Sequence, residues 1–308
     1  MKKLGKNALA NLNLDASCQI DLGSTVTAVD SSNYKTNIIW GVNHDNQILE
    51  GTEFRKQNYD ILDYTREVID TTQTNGSTVY LTKIVDYTGS SVIIPSRING
   101  TKISSISAPS PSTDEKNDTI KEVFIPNQIT SISTHLFANC NSLESAKIDC
   151  SKATGGGLFY HCANLKKAEI KAQTLSSWVF SGCTTLSDVK LFKGTKHINT
   201  QAFYGCKSLT NIEIPSSVID IGTSTFEGCS NLTNITILNG VQNIGERAFK
   251  NCVSLVNITI PNSVETLGAS LFDGCSNLKN VYIDKVEGSL DTSNLGLAVG
   301  SITWLRKE

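Results

Sequence analysis

The sequence predicts a β-rich repeat solenoid built on a parallel sheet, with a small N-terminal α+β segment attached. Three observations carry this. Between Cys183 and Cys275 the chain repeats itself every 23 residues. Within each unit apolar residues alternate through a short strand, as at Ile212 and Ile214, Ile235 and Ile237, and Ile258 and Ile260. Seven of the nine cysteines (Cys140, Cys162, Cys183, Cys206, Cys229, Cys252 and Cys275) are spaced by 22, 21, 23, 23, 23 and 23 residues, one to each unit. A fixed period of this length marks stacked units, none of which buries its apolar face alone. Stacking makes one core that grows along an axis, so 308 residues need no second compact core.

Taken in order, residues 1–75 are an N-terminal extension. Ser24–Val29 and Asn37–Val42 have strand composition, and a helix is expected over about 47–72. There Ile61, Leu62, Thr65, Val68 and Ile69 recur at helical spacing opposite Asp60, Asp63, Arg66 and Glu67. Asn75-Gly76 then reads as a helix stop. Residues 76–119 form an N-terminal cap and a first atypical rung. Val79–Ile84 and Val92–Ile94 are its strands, Asn99-Gly100 a tight turn, and 107–118, rich in Pro, Ser and acid, an exposed loop.

The array runs over 120–283. Its frame is clearest in Leu209-x-x-Ile212-x-Ile214-Pro215-x-x-Val218-x-x-Ile221-Gly222-x-x-x-Phe226-x-x-Cys229. Two units are degenerate: Leu143–Cys162, with Gly155-Gly156-Gly157 where a strand should lie, and Leu165–Cys183, which is two residues short. Residues 284–308 leave the register and are read as a cap over the last open rung.

Equivalent cysteines in successive rungs lie roughly 5 Å apart with parallel side chains, a poor geometry for a disulfide. No C-x-x-C pair is present, so zinc is not indicated either. They are expected to form a buried column of free thiols. Cys18 and Cys150 fall outside this register. Asn211, Asn234, Asn257 and Asn280 also recur, and an amide ladder running from rung to rung is expected of them.

These residues resemble the leucine-rich repeats of the BspA-like type, known from bacterial and protist surface proteins. The I-P-x-x-V-x-x-I-G-x-x-x-F-x-x-C-x-x-L frame carries the resemblance over roughly residues 92–283. It implies a right-handed solenoid and, commonly, adhesion or ligand binding. The stretch Val281–Lys285, with Glu287-Gly288-Ser289 and Ile302-x-Trp304, is similar to the C-terminal cap of such proteins in gut bacteria and their phages. Ile48–Phe54 followed by Asn58 is similar to phage tail and baseplate proteins, in which such a segment attaches the chain to a virion.

The chemistry is sparse. The four histidines, His44, His135, His161 and His197, sit at non-equivalent positions. His161-Cys162 has the composition of a nucleophile pair, but Cys162 belongs to the thiol column. The glycine run 155–157 lacks the Lys-Ser/Thr of a phosphate loop. No catalytic residue, cofactor or metal is therefore expected. A net charge of -2 supplies no field to recruit nucleic acid, and no apolar run is long enough to insert in a membrane. Met1-Lys2-Lys3 starts basic, but Asn11, Asn13 and Asp15 interrupt any signal-like apolar stretch.

What remains is the outward position of each strand: Phe124, Lys147, Glu169, Lys190, Glu213, Thr236, Thr259 and Tyr282. Two readings of this column stay open. Its alternating charges can simply solubilise an exposed sheet, or the column can be a binding face with aromatic ends. The expected function is a non-enzymatic recognition or adhesion protein that binds a protein or glycan on a cell surface. The alternative is a phage virion component displaying the same domain, with residues 1–75 serving homo-oligomerisation or virion assembly. The compartment, cell surface or virion, is left open.

Overall fold

The computed structural model describes residues 120–297 apart from 128, 151 and 153, residues 104–107 and 302–307, and the backbone of short strands between 19 and 102. Each unit contributes three runs to a parallel-sheet solenoid. The first is a four-residue strand, such as Glu122–Ile125, Ser145–Ile148, Lys167–Ile170, Asp188–Leu191, Asn211–Ile214, Asn234–Ile237 and Asn257–Ile260. Successive strands pair in parallel without register shift, for example Val123 with Ala146, Ala168 and Val189. Ile212 and Ile214 are buried and Asn211 and Glu213 exposed, so the period-two pattern fixes which face turns inward.

The second run is a two-residue strand ending in an inward aliphatic residue, buried in all but the last: Thr174–Leu175, His197–Ile198, Asp220–Ile221, Asn243–Ile244 and Thr266–Leu267. These also pair in parallel. The third run is a pair of tight turns that carries the phenylalanine. Here too bonds join rung to rung: the backbone N–H of Phe203 donates to the Thr225 carbonyl at 2.9 Å, and that of Phe226 to Ala248 at 2.8 Å. Rung-to-rung backbone bonds thus run on all three sides of the coil.

The core is a set of columns. Phe137, Phe159, Phe180, Phe203, Phe226, Phe249 and Phe272 stack in sequence, with ring centroids 5.4–5.8 Å apart and planes within 17° of parallel. Beside them runs the thiol column, buried and unbridged as the spacing predicts. Each thiol has a partner that the repeat alone does not disclose. Cys229 Sγ donates to the Phe203 carbonyl of the preceding rung at 3.2 Å, and Cys162, Cys183, Cys206, Cys252 and Cys275 do the same one rung back. That carbonyl already accepts the backbone N–H of its own rung's cysteine, so the thiol fills its second lone pair. Cys150, out of register, is buried and outside any disulfide as well.

The degenerate unit breaks the second sheet. Thr154 and Gly155 stand where a short strand belongs, separating the ladder through Ser131–Ile132 from the one that begins at Thr174–Leu175. A β-carbon on Gly155 would lie 2.4 Å from the Ser133 carbonyl oxygen, so the glycine lets the backbones of two rungs close on each other. Thr154 repairs the gap with its side chain, whose Oγ1 accepts the Ser176 N–H at 2.9 Å.

At the N-terminal side, Ser91–Ile93 pairs with Glu122–Phe124 and Ser105–Ser107 with Ser131–Ile132, both in parallel. Arg97–Ile98 and Thr101–Lys102 form an antiparallel pair around Asn99-Gly100. The helix expected over 47–72 needs correction at its start. Glu53–Arg55 is a strand, parallel to Ile39–Gly41, which in turn pairs with Gln19–Ile20. Glu53, Phe54 and Arg55 precede the helical apolar spacing, which begins only at Ile61; residues 56–72 lie outside the described residues. So does the strand expected at Ser24–Val29; of the loop expected at 107–118, Ser107 belongs to the strand Ser105–Ser107 and the rest lies outside the described residues.

At the other end the parallel strands Asn280–Val286 and Ile302–Arg306 close the first sheet. Arg306 holds Asp284 through two bonds of 2.8 and 3.0 Å, and the Phe272 N–H donates to Leu295 rather than to another repeat.

Candidate recognition face

The outward column forms as one row. Phe124, Lys147, Glu169 and Lys190 are direct register partners, Glu213 pairs with Thr236, and Thr259 with Tyr282. The strands that carry Lys190 and Glu213, and those that carry Thr236 and Thr259, remain neighbours without a ladder between them.

The row divides into two halves by charge. Glu169 draws three ammonium groups: Lys167 at 3.4 Å, Lys190 at 3.7 Å and Lys147 at 3.8 Å. Glu144 and Lys166 meet at 2.9 Å and Asp149 and Lys171 at 3.4 Å on the same rungs. Partial burial pushes the Glu169 carboxyl up, but the Lys167 hydrogen bond and the charges of Lys167, Lys147 and Lys190 together bring it below its ordinary value. Beyond Lys190 the row is different. Glu213, Thr236 and Thr259 are exposed, and none of their three side chains enters a hydrogen bond or ion pair with another described residue. The outward side chains there are polar and face solvent.

Exposed ion pairs of this kind contribute little, because solvent screens them and long side chains lose freedom. Glu169→Ala is therefore expected to change unfolding free energy by less than about 1 kcal/mol per pair. Since the folded carboxyl lies below its unfolded value, its small contribution is present above the unfolded pKa. It fades as pH falls through the folded one. Urea titrations of parent and variant at neutral pH and near pH 3 check both statements.

The aromatic end at Phe124 needs correction. It occupies the outward register yet is only 8% exposed. An outward-facing ring can be that buried only where other chain covers it, so this end of the column offers no free aromatic surface. Tyr282 at the far end is half-buried.

The amide column is only partly joined. Asn280 Nδ2 donates to Asn257 Oδ1 at 2.8 Å, whereas Asn211 donates to its neighbour Thr210 Oγ1 at 3.0 Å. A longer polar chain lies on the second sheet. Asp220 accepts from Asn243 Nδ2 at 2.7 Å, Asn243 Oδ1 accepts from Thr266 Oγ1 at 2.6 Å, and His197 Nδ1 lies 2.7 Å from the other Asp220 oxygen. Its signal in the sequence is the residue before each second-strand aliphatic, in His197-Ile198, Asp220-Ile221, Asn243-Ile244 and Thr266-Leu267.

Nothing in these arrangements assembles a nucleophile. Burial pushes the Cys162 thiol well up and it donates to a carbonyl, while its chain neighbour His161 is exposed. Among the described residues no three His, Cys, Asp or Glu side chains gather as metal ligands, and no helix is long and apolar enough to cross a membrane.

Comparison with known proteins finds a matching family, described as BspA type leucine rich repeat region, in six copies over residues 111–210 and 196–293. No curated protein matches. Solved structures that resemble the chain include a leucine rich cell surface protein from Faecalibacterium prausnitzii, 23% identical over 74% of this chain with a TM-score of 0.48. This chain spans 56% of that one's length. A leucine rich repeat protein of T. pallidum is 23% identical over 66% of this chain and 83% of its own, with a TM-score of 0.47. A leucine-rich repeat protein of Eubacterium ventriosum is 18% identical over 91% of this chain and 69% of its own, with a TM-score of 0.43.

Proposed function

Because the chain belongs to the BspA-type leucine-rich repeat family, we propose that it is a non-enzymatic recognition protein that binds a protein or glycan ligand through the outward face of its first sheet. The observation that supports this reading is the contrast within that face. Lys147, Glu169 and Lys190 spend their charges on one another, while the side chains of Glu213, Thr236 and Thr259 stand exposed with no hydrogen bond or ion pair among the described residues. A rigid row of hydrogen-bonding groups about one rung apart needs no reordering to meet a ligand, which lowers the entropic cost of association. The contact region on this reading is Glu213, Thr236 and Thr259, flanked by Asn211, Asn234 and Asn257.

The test is capture from a panel of immobilised extracellular proteins and glycans by the full chain. Replacing Thr236 and Thr259 together by lysine puts two charges and two long side chains into the row without touching the core. The retained ligand is expected to be lost in that variant and kept in Lys147→Ala. Equal retention by the lysine variant would refute the assignment of the face.

A further inference from the structure

The turn side of the coil, away from both sheets, carries a second feature. Each rung places two residues in the left-handed region, and the first of each pair is His135, Gly157, Trp178, Gln201, Ser224, Arg247 or Ser270, with φ between 52° and 60°. A side chain there costs roughly 1–2 kcal/mol relative to glycine. Gly157 meets the requirement at no cost, but the next rung fills the same position with tryptophan. Trp178 is 43% exposed. Six of the seven rungs carry a side chain at this position, so the conformation belongs to the repeat, and what sets Trp178 apart is a large ring left in solvent.

Trp178 has company. Tyr204, on the following rung, is 39% exposed. On the preceding rungs the Tyr160 ring lies 5.8 Å from His135, edge-on, and 4.2 Å from His161. Glycines make room for these rings: a β-carbon on Gly157 would come within 2.5 Å of the His135 ring, and one on Gly182 within 2.9 Å of the His161 ring. Gln201 Oε1 accepts the Trp178 indole N–H, which holds the ring's orientation. Beside Tyr204, Gly205 faces open space. The result is a ridge of five rings over four rungs on a floor of glycine.

Charge separates this ridge from the rest of the side. In its four rungs the three outer turn positions are His135, Ala138, Asn139, Gly157, Tyr160, His161, Trp178, Ser181, Gly182, Gln201, Tyr204 and Gly205, with no Asp, Glu, Lys or Arg among them. The same positions in the next three rungs include Glu227, Arg247, Lys250 and Asp273. We propose that the ridge of His135, Tyr160, His161, Trp178 and Tyr204 is a binding site for a neutral oligosaccharide, independent of the sheet face. Exposed indole and phenol rings present apolar faces with a polar rim. A sugar chain presents C–H faces ringed by hydroxyls, so it matches both parts. A nucleic acid would stack on such rings as well, but it needs a run of cations for its phosphates, and these turn positions hold no Lys or Arg. A protein partner anchors best through residues that fill desolvated pockets, whereas the ridge stands out from a shallow floor.

The experiment titrates the full chain with neutral hexasaccharides of glucose, mannose and N-acetylglucosamine, read by calorimetry at low and high salt. Saturable binding to at least one is expected, unchanged by salt. It should weaken about tenfold or more in Trp178→Gly and in Tyr204→Ala, the loss of roughly one good contact each. Trp178→Gly copies the residue found one rung earlier, so it should fold with undiminished thermal stability. Tyr204→Ala, at an exposed ring, provides a second reading. The Thr236, Thr259 lysine variant should bind the sugar as the parent does, which separates this site from the sheet face. The proposal is overturned if no hexasaccharide binds saturably, if both ring variants bind like the parent, if affinity falls with salt, or if a protein ligand competes for the ridge where sugars do not.

Discussion

Truncating Phe226 to alanine will cost the fold about 3–5 kcal/mol, the range for emptying the site of a fully buried aromatic side chain. Phe226 is wholly buried, stacked at 5.4 Å on Phe203 and at 5.8 Å on Phe249. The cavity would thus open between two rings whose own positions depend on it. In a stacked array each rung is stabilised chiefly by its neighbours, so a weak middle rung also divides the cooperative unit. Urea denaturation should show both a lower midpoint and a broader or split transition. Phe272→Ala is the comparison. That ring has one stacked neighbour, Phe249 at 5.8 Å, so its loss trims an end and should cost less. Equal midpoints and equally sharp transitions for parent and Phe226→Ala would show that the aromatic column does not couple the rungs.

The second large effect is chemical. The thiols of the column should resist alkylation by iodoacetamide at pH 8 for as long as the chain stays folded, and react promptly in denaturant. The thiolate is the reactive form, and burial opposes it. It pushes Cys229 up to about 12 and Cys275 to about 11, the latter at the end of the column. Cys150 is likewise raised to about 11 by burial. Modification then has to wait for local opening. Intact-mass analysis of the folded chain should find these eight cysteines unmodified, with Cys18, outside the described residues, as the one thiol free to differ. Among the eight, Cys275 should react first, since its rung lies nearest the cap. Rapid labelling of Cys206 or Cys229 in the folded chain would mean that the column is open to solvent.

Both expectations rest on positions that are plain in the sequence. A residue type that returns every 23 positions meets its own copy in the next rung, so Phe226 and Cys229 predict their neighbours without a search. Less regular features did not yield to the same reading. The threonine in Ala153-Thr154-Gly155 looks like part of a failed strand, and only in three dimensions does its hydroxyl replace the missing ladder. The segment 47–72 has helical spacing in its second half, yet Glu53–Arg55 pairs with a strand that no local pattern identifies as its partner.

The candidate surfaces divide in the same manner. That Glu169 faces outward follows from alternation along Lys167–Ile170; that it gathers three lysines depends on side chains from three strands converging. Phe124 satisfies the outward register and is nonetheless covered. The aromatic ridge is scattered in sequence from 135 to 204 and becomes one surface only because the turns stack and glycines one rung on leave room for the His135 and His161 rings. By itself, then, the sequence determined the period, the parallel stacking and the identity of every core column, because inward packing is encoded once per repeat and copied. Tertiary structure alone decided which outward groups are free. That depends on the neighbour one rung away, and outward positions are where the repeats stop being copies of one another.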